Sequence, residues 1–366
     1  MALRTHDGET ARPERGRGAT INPEGRFETV RREAVDDGWA PGDASEAPPP
    51  RLRTHVTEET ARSILSRNDS PDVPFTYSIN PYRGCEHGCV YCFARPTHAY
   101  LELSPGIDFE TRLFAKVNAA ALLRRELARP GHKVESIALG ANTDPYQPIE
   151  REYRITRQVL EVLEACRHPV GIVTKNALVL RDLDLLPAMA QRRLVRVFIS
   201  ITTLDHGIAR RMEPRASSPV RRLEALQALS AAGVPCGVIV APVVPFLTDD
   251  GLERVLDAAA AAGASTAGYV LLRLPYEIKD LFKDWLAHHY PLKAGHVMSR
   301  VRQMRDGKEY DAEFGSRMRG HGRFADLLEQ RFEKACRRLG LDRERRSGLD
   351  VTQFRPPSPE GQLTLF

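Results

Sequence analysis

The 366-residue sequence contains no hydrophobic run long enough to span a membrane. Its most apolar stretch, PCGVIVAPVVPFL at 235–247, is short and interrupted by three prolines, which favours a buried strand. The first twenty residues also lack the apolar segment of a secretory signal. We therefore predict no membrane segment and a cytoplasmic location.

Cysteine is scarce, and half of it is concentrated in one place. Three of the six cysteines, Cys85, Cys89 and Cys92, fall within eight positions, and the others are scattered. In a reducing compartment, clustered cysteines indicate metal binding or catalysis rather than disulfides. The net charge of +5 is compatible with an anionic partner but does not identify one.

From about residue 75, short β-branched runs alternate with longer amphipathic ones. We predict strands at 76–80, 136–140, 170–174, 195–201, 236–244 and 267–273, and helices at 109–127, 155–166, 182–192, 218–233 and 249–263. Six strands separated by five helices indicate an α/β fold, a partial (β/α)6 barrel of the TIM type, with a doubly wound sheet as the alternative. Both architectures bind ligands at the carboxyl ends of the strands.

The flanking regions differ from this core in composition. Residues 1–70, rich in Arg, Glu, Pro and Gly, predict a flexible or loosely packed extension to a core at 71–275. Residues 276–350 predict a mostly helical, basic appendix that closes the sheet edge, or alternatively a surface that contacts nucleic acid. For residues 351–366, which include the proline-rich stretch FRPPSPEG, we predict a flexible tail.

The cysteine loop follows the first predicted strand, which is an active-site position in this architecture. A structural zinc site needs a fourth ligand, and His87 or His98 could supply it. A [4Fe–4S] cluster held by only three cysteines instead keeps one iron open for another ligand. The spacing alone leaves both interpretations open.

The segment Cys85-Glu-His-Gly-Cys89-Val-Tyr91-Cys92 resembles the signature of the radical S-adenosylmethionine (SAM) superfamily. The resemblance covers roughly residues 76–275. It implies that the three cysteines hold a [4Fe–4S] cluster, with Tyr91 among the cofactor-binding residues. It also implies that SAM is cleaved reductively to a 5′-deoxyadenosyl radical, with an electron from a donor such as flavodoxin or ferredoxin.

Polar residues follow the next strands, where this resemblance places SAM. Asn142, Thr143 and Asp144 match the position that holds the SAM amino group, although Asp144 also suits a helix cap. Lys175 is a point charge suited to the SAM carboxylate, and Ser200 is a further candidate contact. The loop RRMEPRASSP could position substrate or cofactor through its charged residues Arg210, Arg211, Glu213 and Arg215. No catalytic acid or base is assigned.

The stretches SINPYRGCEHGCVYCFARP and VTKN resemble the spore photoproduct lyase-like branch, whose founding member repairs a thymine dimer by radical chemistry. Two departures concern hydrogen transfer. Ala141 occupies the place of the lyase's hydrogen-donor cysteine, and Phe93 replaces the tyrosine that follows the last cluster cysteine. We therefore predict that the protein is not a spore photoproduct lyase but belongs to a related group. The resemblance to this branch implies an enzyme that acts on DNA or a nucleotide in repair. The alternatives are a radical enzyme acting on RNA, protein or a small molecule, and a non-catalytic metal-binding adaptor.

The last five residues, QLTLF, follow a proline-rich tether. They resemble the bacterial sliding-clamp-binding peptide Gln-Leu-x-Leu-Phe. The resemblance implies that Gln362, Leu363, Leu365 and Phe366 bind the DNA polymerase sliding clamp. The alternative is a tail that folds back on the domain.

Overall fold

The computed structural model describes residues 16–28, 52–341 and 348–357. Within these ranges it contains ten strands: β1 (His55–Glu59), β2 (Leu65–Arg67), β3 (Tyr77–Ile79), β4 (Tyr82–Arg83), β5 (Arg112–Lys116), β6 (Ile137–Leu139), β7 (Val170–Thr174), β8 (Val195–Ser200), β9 (Cys236–Val243) and β10 (Thr266–Leu271). It also contains eleven α-helices: α1 (Asp108–Thr111), α2 (Ala119–Leu127), α3 (Glu150–Tyr153), α4 (Ile155–Ala165), α5 (Leu186–Gln191), α6 (His206–Met212), α7 (Pro219–Ala231), α8 (Leu252–Ala261), α9 (Ile278–His289), α10 (Pro291–Gln303) and α11 (Gly322–Leu339).

A seven-stranded sheet in the order β10-β9-β8-β7-β6-β3-β2 forms the core. Its first six strands are parallel, and β2 pairs antiparallel with β3 at the edge. The predicted α/β fold is confirmed, and the six predicted strands are β3 and β6–β10. Because the parallel strands follow chain order without a reversal, the topology favours the partial barrel over a doubly wound sheet. Among the described residues, no strand pairing closes the sheet into a full barrel.

The loop between α10 and α11 contacts both ends of this sheet. At the β10 edge, the Leu271 N–H donates to the Met318 carbonyl at 3.0 Å. At the other end, Arg317 pairs with Asp72, which lies between β2 and β3. The loop therefore covers the exposed backbone of an edge strand, which would otherwise invite pairing with another chain.

Two sequence-based expectations were wrong. Residues 52–70 are not loosely packed, because they contain β1 and β2. The predicted helix at 109–127 is interrupted by β5, which pairs in parallel with β1 and antiparallel with β4 in a second, three-stranded sheet. The pattern RLFAK forms a strand because β1 supplies a partner from more than fifty positions away, a contact that local periodicity cannot reveal. The rest of the predicted extension, 1–15 and 29–51, lies outside the described residues.

The end of the described chain packs at the amino end of the parallel strands, so residues 351–357 are not part of a flexible tail as predicted for 351–366. The Arg355 N–H donates to the Cys166 carbonyl at 2.8 Å, just before β7, and the Gln353 amide donates to the Arg192 carbonyl at 2.9 Å, just before β8. The Phe354 ring lies 5.3 Å from the His168 ring. No helix in the described ranges is both long and apolar enough to cross a membrane.

Candidate active site

The three clustered cysteines lie on a loop at the carboxyl edge of the sheet. The Cys85 N–H donates to the Phe109 carbonyl at 2.9 Å, and the Cys92 N–H donates to the Cys89 carbonyl at 3.2 Å. All three thiols are free, and the pKa of Cys85 is raised by burial first and then by the charges of Asp144, Cys89 and Cys92. Burial raises the pKa of each thiol, so metal binding must displace their protons.

A buried ion pair supports this loop from below. Arg95 donates from Nε to the Cys89 carbonyl at 2.8 Å and from Nη1 to the Gly106 carbonyl at 2.8 Å. It also pairs with Glu110, and both side chains are fully buried. Because every charged group here has hydrogen-bond partners, the pair can fix the loop without leaving an uncompensated charge. Neither residue was a sequence-based candidate.

The described part of the N-terminal extension packs directly on the cysteine loop. The N–H groups of Gly18 and Ala19 donate to the Glu110 carboxylate at 2.9 and 2.8 Å. A side chain at Gly18 would overlap the Gly88 carbonyl oxygen, so only glycine permits this approach. Residues 16–20 therefore belong to the site, which corrects the expectation of a loose extension.

Asp144 ties the ends of β6 and β7 to the cysteine loop. Its carboxylate accepts hydrogen bonds from the Lys175 N–H and the Thr174 hydroxyl, both at 2.7 Å, and lies 3.3 Å from His87 Nδ1. Burial raises the pKa of Asp144, but His87 and these hydrogen bonds outweigh it, so the net shift is downward and the group is ionised. Asp144 thus acts as a positioning residue in this structure.

The two residues before Asp144 point in different directions. Thr143 is buried, and its hydroxyl donates to the Tyr82 carbonyl at 2.9 Å. Asn142 has an exposed side chain, while its N–H donates to Asn80 Oδ1 at 3.0 Å. Of the three residues predicted to contact the SAM amino group, Asn142 has the side chain that is most accessible to a ligand.

Lys175 connects the carboxyl ends of three strands. Its ammonium group lies 2.6 Å from Ser200 Oγ, 3.2 Å from the Ala241 carbonyl and 3.4 Å from Glu213 Oε1. It also lies 5.7 Å from the centre of the Tyr91 ring. The structure thus brings Lys175, Ser200 and Tyr91 together beside the cysteine loop, as their sequence-based assignment requires. The ammonium is mostly buried.

Glu213 is the buried counter-charge of this cluster. Its carboxylate accepts a hydrogen bond from Thr202 at 2.6 Å, contacts the Tyr91 hydroxyl and pairs with Arg222. Burial raises its pKa, but Arg222 and Lys175 more than offset this, so the pKa lies well below the usual value. The sequence predicted that the loop containing Glu213 could position substrate or cofactor, whereas Glu213 itself is buried in the interior.

The residues present fit an iron–sulfur cluster better than zinc. Three free thiols on one loop are the soft donor set that such clusters take. Of the histidines suggested as a fourth zinc ligand, His87 has partners at both ring nitrogens: Nε2 lies 3.1 Å from the Asn176 amide, and Nδ1 lies 3.3 Å from Asp144. His98 Nε2 lies 2.9 Å from the Arg112 carbonyl, and its buried Nδ1 has no hydrogen-bond partner among the described residues. In 16–28, 52–341 and 348–357, no three His, Cys, Asp or Glu side chains are grouped as ligands of a single metal ion.

Comparison with protein families gives a match to the radical SAM superfamily over residues 79–259. The chain belongs to the radical SAM superfamily. The match contains all three clustered cysteines and β6 to β9. Members of this superfamily use a [4Fe–4S] cluster and SAM, so the thiol loop has the position and the donors that the family requires.

Two similar proteins carry no assigned activity. An uncharacterised protein of Mycobacterium tuberculosis is 43% identical over 250 residues, which cover 68% of this radical SAM chain and 72% of that protein. An uncharacterised protein of Methanocaldococcus jannaschii is 27% identical over 215 residues, covering 59% and 76%.

Among solved structures, the fold resembles spore photoproduct lyase. A mutant of that enzyme with bound AdoMet and dinucleoside spore photoproduct matches with a TM-score of 0.55 and 18% identity. The match covers 78% of this chain and 79% of the lyase. A second mutant of the lyase gives a TM-score of 0.54 at 18% identity, over 78% of this chain and 80% of the lyase. At this identity the likeness shows the fold alone.

Proposed function

We propose that this radical SAM enzyme holds its cluster through Cys85, Cys89 and Cys92 and acts on DNA or a nucleotide in repair. One observation carries the proposal: three free thiols and a nearly buried lysine meet at the carboxyl edge of a parallel sheet. For the substrate, support comes from the fold likeness to a lyase that binds a dinucleoside lesion. When bound, the cluster supplies the electron that cleaves SAM to a 5′-deoxyadenosyl radical.

The residues around the loop have distinct proposed roles. Lys175 attracts the SAM carboxylate. Ser200 orients the Lys175 ammonium group, which donates a hydrogen bond to the Ser200 hydroxyl at 2.6 Å. Asn142 offers a polar side chain to the SAM amino group. Glu213 balances the positive charge of Lys175 from below, so that the ammonium is held in place before SAM arrives. We further propose that a flavodoxin or a ferredoxin delivers the electron.

Hydrogen transfer distinguishes this enzyme from spore photoproduct lyase. Ala141 follows β6 at the place of the donor cysteine, and Phe93 has no phenolic hydroxyl. All six cysteines are described, and the three outside the loop lie elsewhere: Cys166 ends α4, Cys336 lies in α11, and Cys236 begins β9 with its thiol 3.6 Å from the Leu226 carbonyl. We infer that the substrate is not the thymine dimer of the lyase.

The proposal is tested on anaerobically reconstituted protein. We expect the EPR spectrum of the reduced cluster to change when SAM is added, and 5′-deoxyadenosine to form. An EPR spectrum of the reduced cluster that is the same with and without SAM would contradict the catalytic proposal. In a parallel sample, added dinucleoside spore photoproduct should remain unconverted. Reversal of that dimer at an enzyme-like rate would contradict the inferred difference from the lyase.

We also propose that the C-terminal peptide binds the DNA polymerase sliding clamp. Gln362, Leu363, Leu365 and Phe366 lie outside the described residues, so the support is the sequence QLTLF and its Pro-rich tether. Deleting residues 362–366 should abolish binding to the clamp in a surface plasmon resonance assay, while 5′-deoxyadenosine formation stays unchanged. Deleting the N-terminal residues 1–5 is the matched control. Clamp binding that survives the C-terminal deletion would refute the role of the peptide.

A further inference from the structure

Four aromatic side chains are exposed on the surface that flanks the cysteine loop. Phe93 follows the last cysteine directly, and Tyr276 lies in the segment after β10. Phe27 and Tyr100 complete the group, and the four side chains are between 46% and 69% exposed. Large rings gathered in water are unfavourable, and such a patch marks a surface that another molecule covers.

Two arginines lie against three of these rings, and the fourth ring stacks on one of the three. The Phe27 and Tyr100 rings stack at 5.1 Å, and the Arg26 guanidinium lies 5.4 Å from the Phe27 ring and 3.9 Å from the Tyr276 ring. Tyr276 is three residues from Arg273, whose guanidinium lies 5.7 Å from the Phe93 ring. We call this set the aromatic–arginine surface: Arg26, Phe27, Phe93, Tyr100, Arg273 and Tyr276.

The two arginines of this surface differ in charge balance. Arg26 forms an ion pair with Glu277 at 2.6 Å, so its charge is compensated and it braces the Tyr276 ring. Arg273 has no carboxylate within ion-pair distance in the described part of the chain, and its Nε has no hydrogen-bond partner there. A half-buried guanidinium without a counter-charge favours an anionic ligand.

A second arginine beneath Arg273 strengthens this positive potential. Arg305 is almost completely buried and donates from Nη2 to the Leu272 carbonyl at 2.7 Å. Its Nε and Nη1 lack partners among the residues that the structure describes. Burial lowers the pKa of Arg305, the Asp311 carboxylate opposes that shift, and Arg273 adds to it. The hydrogen bond to Leu272 places the Arg305 guanidinium beside the residue that precedes Arg273, and neither arginine forms an ion pair with a carboxylate among the described residues.

We propose that the aromatic–arginine surface binds an unpaired nucleic-acid strand, whose bases stack on the exposed rings and whose phosphates contact Arg273. Exposed rings interleaved with arginine are the arrangement that recognises single strands, because every base has a face to stack and every linkage carries a negative charge. A duplex hides its base faces, and an apolar peptide does not compensate Arg273. The inference rests on the proposed function and narrows its substrate to unpaired or extruded nucleotides.

Fluorescence anisotropy of a labelled ten-residue oligothymidine tests this surface on the full-length, reconstituted protein. We expect the single strand to bind more tightly than the same strand annealed to its complement. Tyr276→Ala should weaken single-strand binding about ten-fold, and Tyr276→Phe should restore it. Arg273→Gln should reduce the slope of log affinity against log salt concentration by about one.

Phe314→Ala is the matched control. Phe314 is also an exposed ring beneath an arginine, with the Arg317 guanidinium at 4.6 Å, but it belongs to the loop that covers β10. Its replacement should change the affinity by less than about two-fold. Equal binding of single strand and duplex, or an unchanged affinity in Tyr276→Ala, would overturn the proposal.

Measurement of 5′-deoxyadenosine in the same samples separates this inference from the proposed function. Single-strand binding that depends on Tyr276, in a protein that does not cleave SAM, would support the surface and overturn the catalytic role. SAM cleavage in a protein that binds neither oligonucleotide would refute nucleic-acid binding by the aromatic–arginine surface. It would still support the proposed radical SAM activity.

Discussion

Replacing Cys85 with serine is expected to remove both the iron–sulfur cluster and SAM cleavage. The three thiols of the loop are the whole set of protein donors proposed for the cluster, and a hydroxyl is a far poorer ligand for iron in such a site than a thiolate. Iron content should fall from about four per chain to near zero. Formation of 5′-deoxyadenosine should fall to the level of cluster-free protein.

Cys236→Ser is the matched control for this loss. Cys236 is also buried, but its thiol lies 3.6 and 3.7 Å from the Leu226 and Gly263 carbonyls, at the opposite end of the sheet. We expect this variant to keep its iron and its SAM-dependent EPR change. A Cys85→Ser protein that retained an unaltered cluster spectrum would show that the ligands lie elsewhere.

Neutralising Glu213 is expected to lower the free energy of unfolding far more than the same change at a surface carboxylate. Glu213→Gln leaves Arg222 and Lys175 buried or nearly buried without their shared carboxylate, and breaking a buried pair in this way costs about 3–5 kcal/mol. Because the pKa of Glu213 is lowered on folding, its contribution is fully present above the ordinary value of 4.5 and is lost as the pH falls below it. Urea unfolding of the wild-type and variant proteins at neutral pH measures the difference.

Glu224→Gln makes the same chemical change at the surface. Glu224 pairs with Arg221 at 2.8 Å, and both side chains are largely exposed to solvent. Its loss should cost at most about 1 kcal/mol, because water screens the pair and solvates the arginine that remains. If the two variants unfold at the same urea concentration, the buried network around Glu213 does not stabilise the fold as described.

The parts of this protein that the sequence predicted are those with local signals. The β/α alternation located β3 and β6 to β10, because apolar β-branched runs are specific to buried parallel strands. The helix predicted at 218–233 corresponds to α7, and the hydroxyl of its N-cap residue Ser218 accepts a hydrogen bond from the Arg221 N–H. The cysteine spacing located the loop because all three thiols lie within eight consecutive positions of the sequence.

The parts that were missed depend on distant partners. β5 is a strand only because β1 lies beside it, and the N–H groups of Gly18 and Ala19 reach the Glu110 carboxylate from more than ninety positions away. Arg95 and Glu110 look like surface residues in the sequence, since nothing local marks a buried ion pair. From the sequence, Glu213 was one of four charged residues in its loop, and its burial depends on Arg222, which lies on α7.

The packing of residues 348–357 at the amino end of the strands constrains how the enzyme and a sliding clamp would be arranged. Five residue steps separate position 357 from Gln362, and even a fully extended chain covers only about 18 Å over that length. A clamp bound to the peptide would therefore stay near the face opposite the cysteine loop. The recruiting contact and the reactive face would point away from each other, so the enzyme could remain attached while it engages and releases successive stretches of DNA.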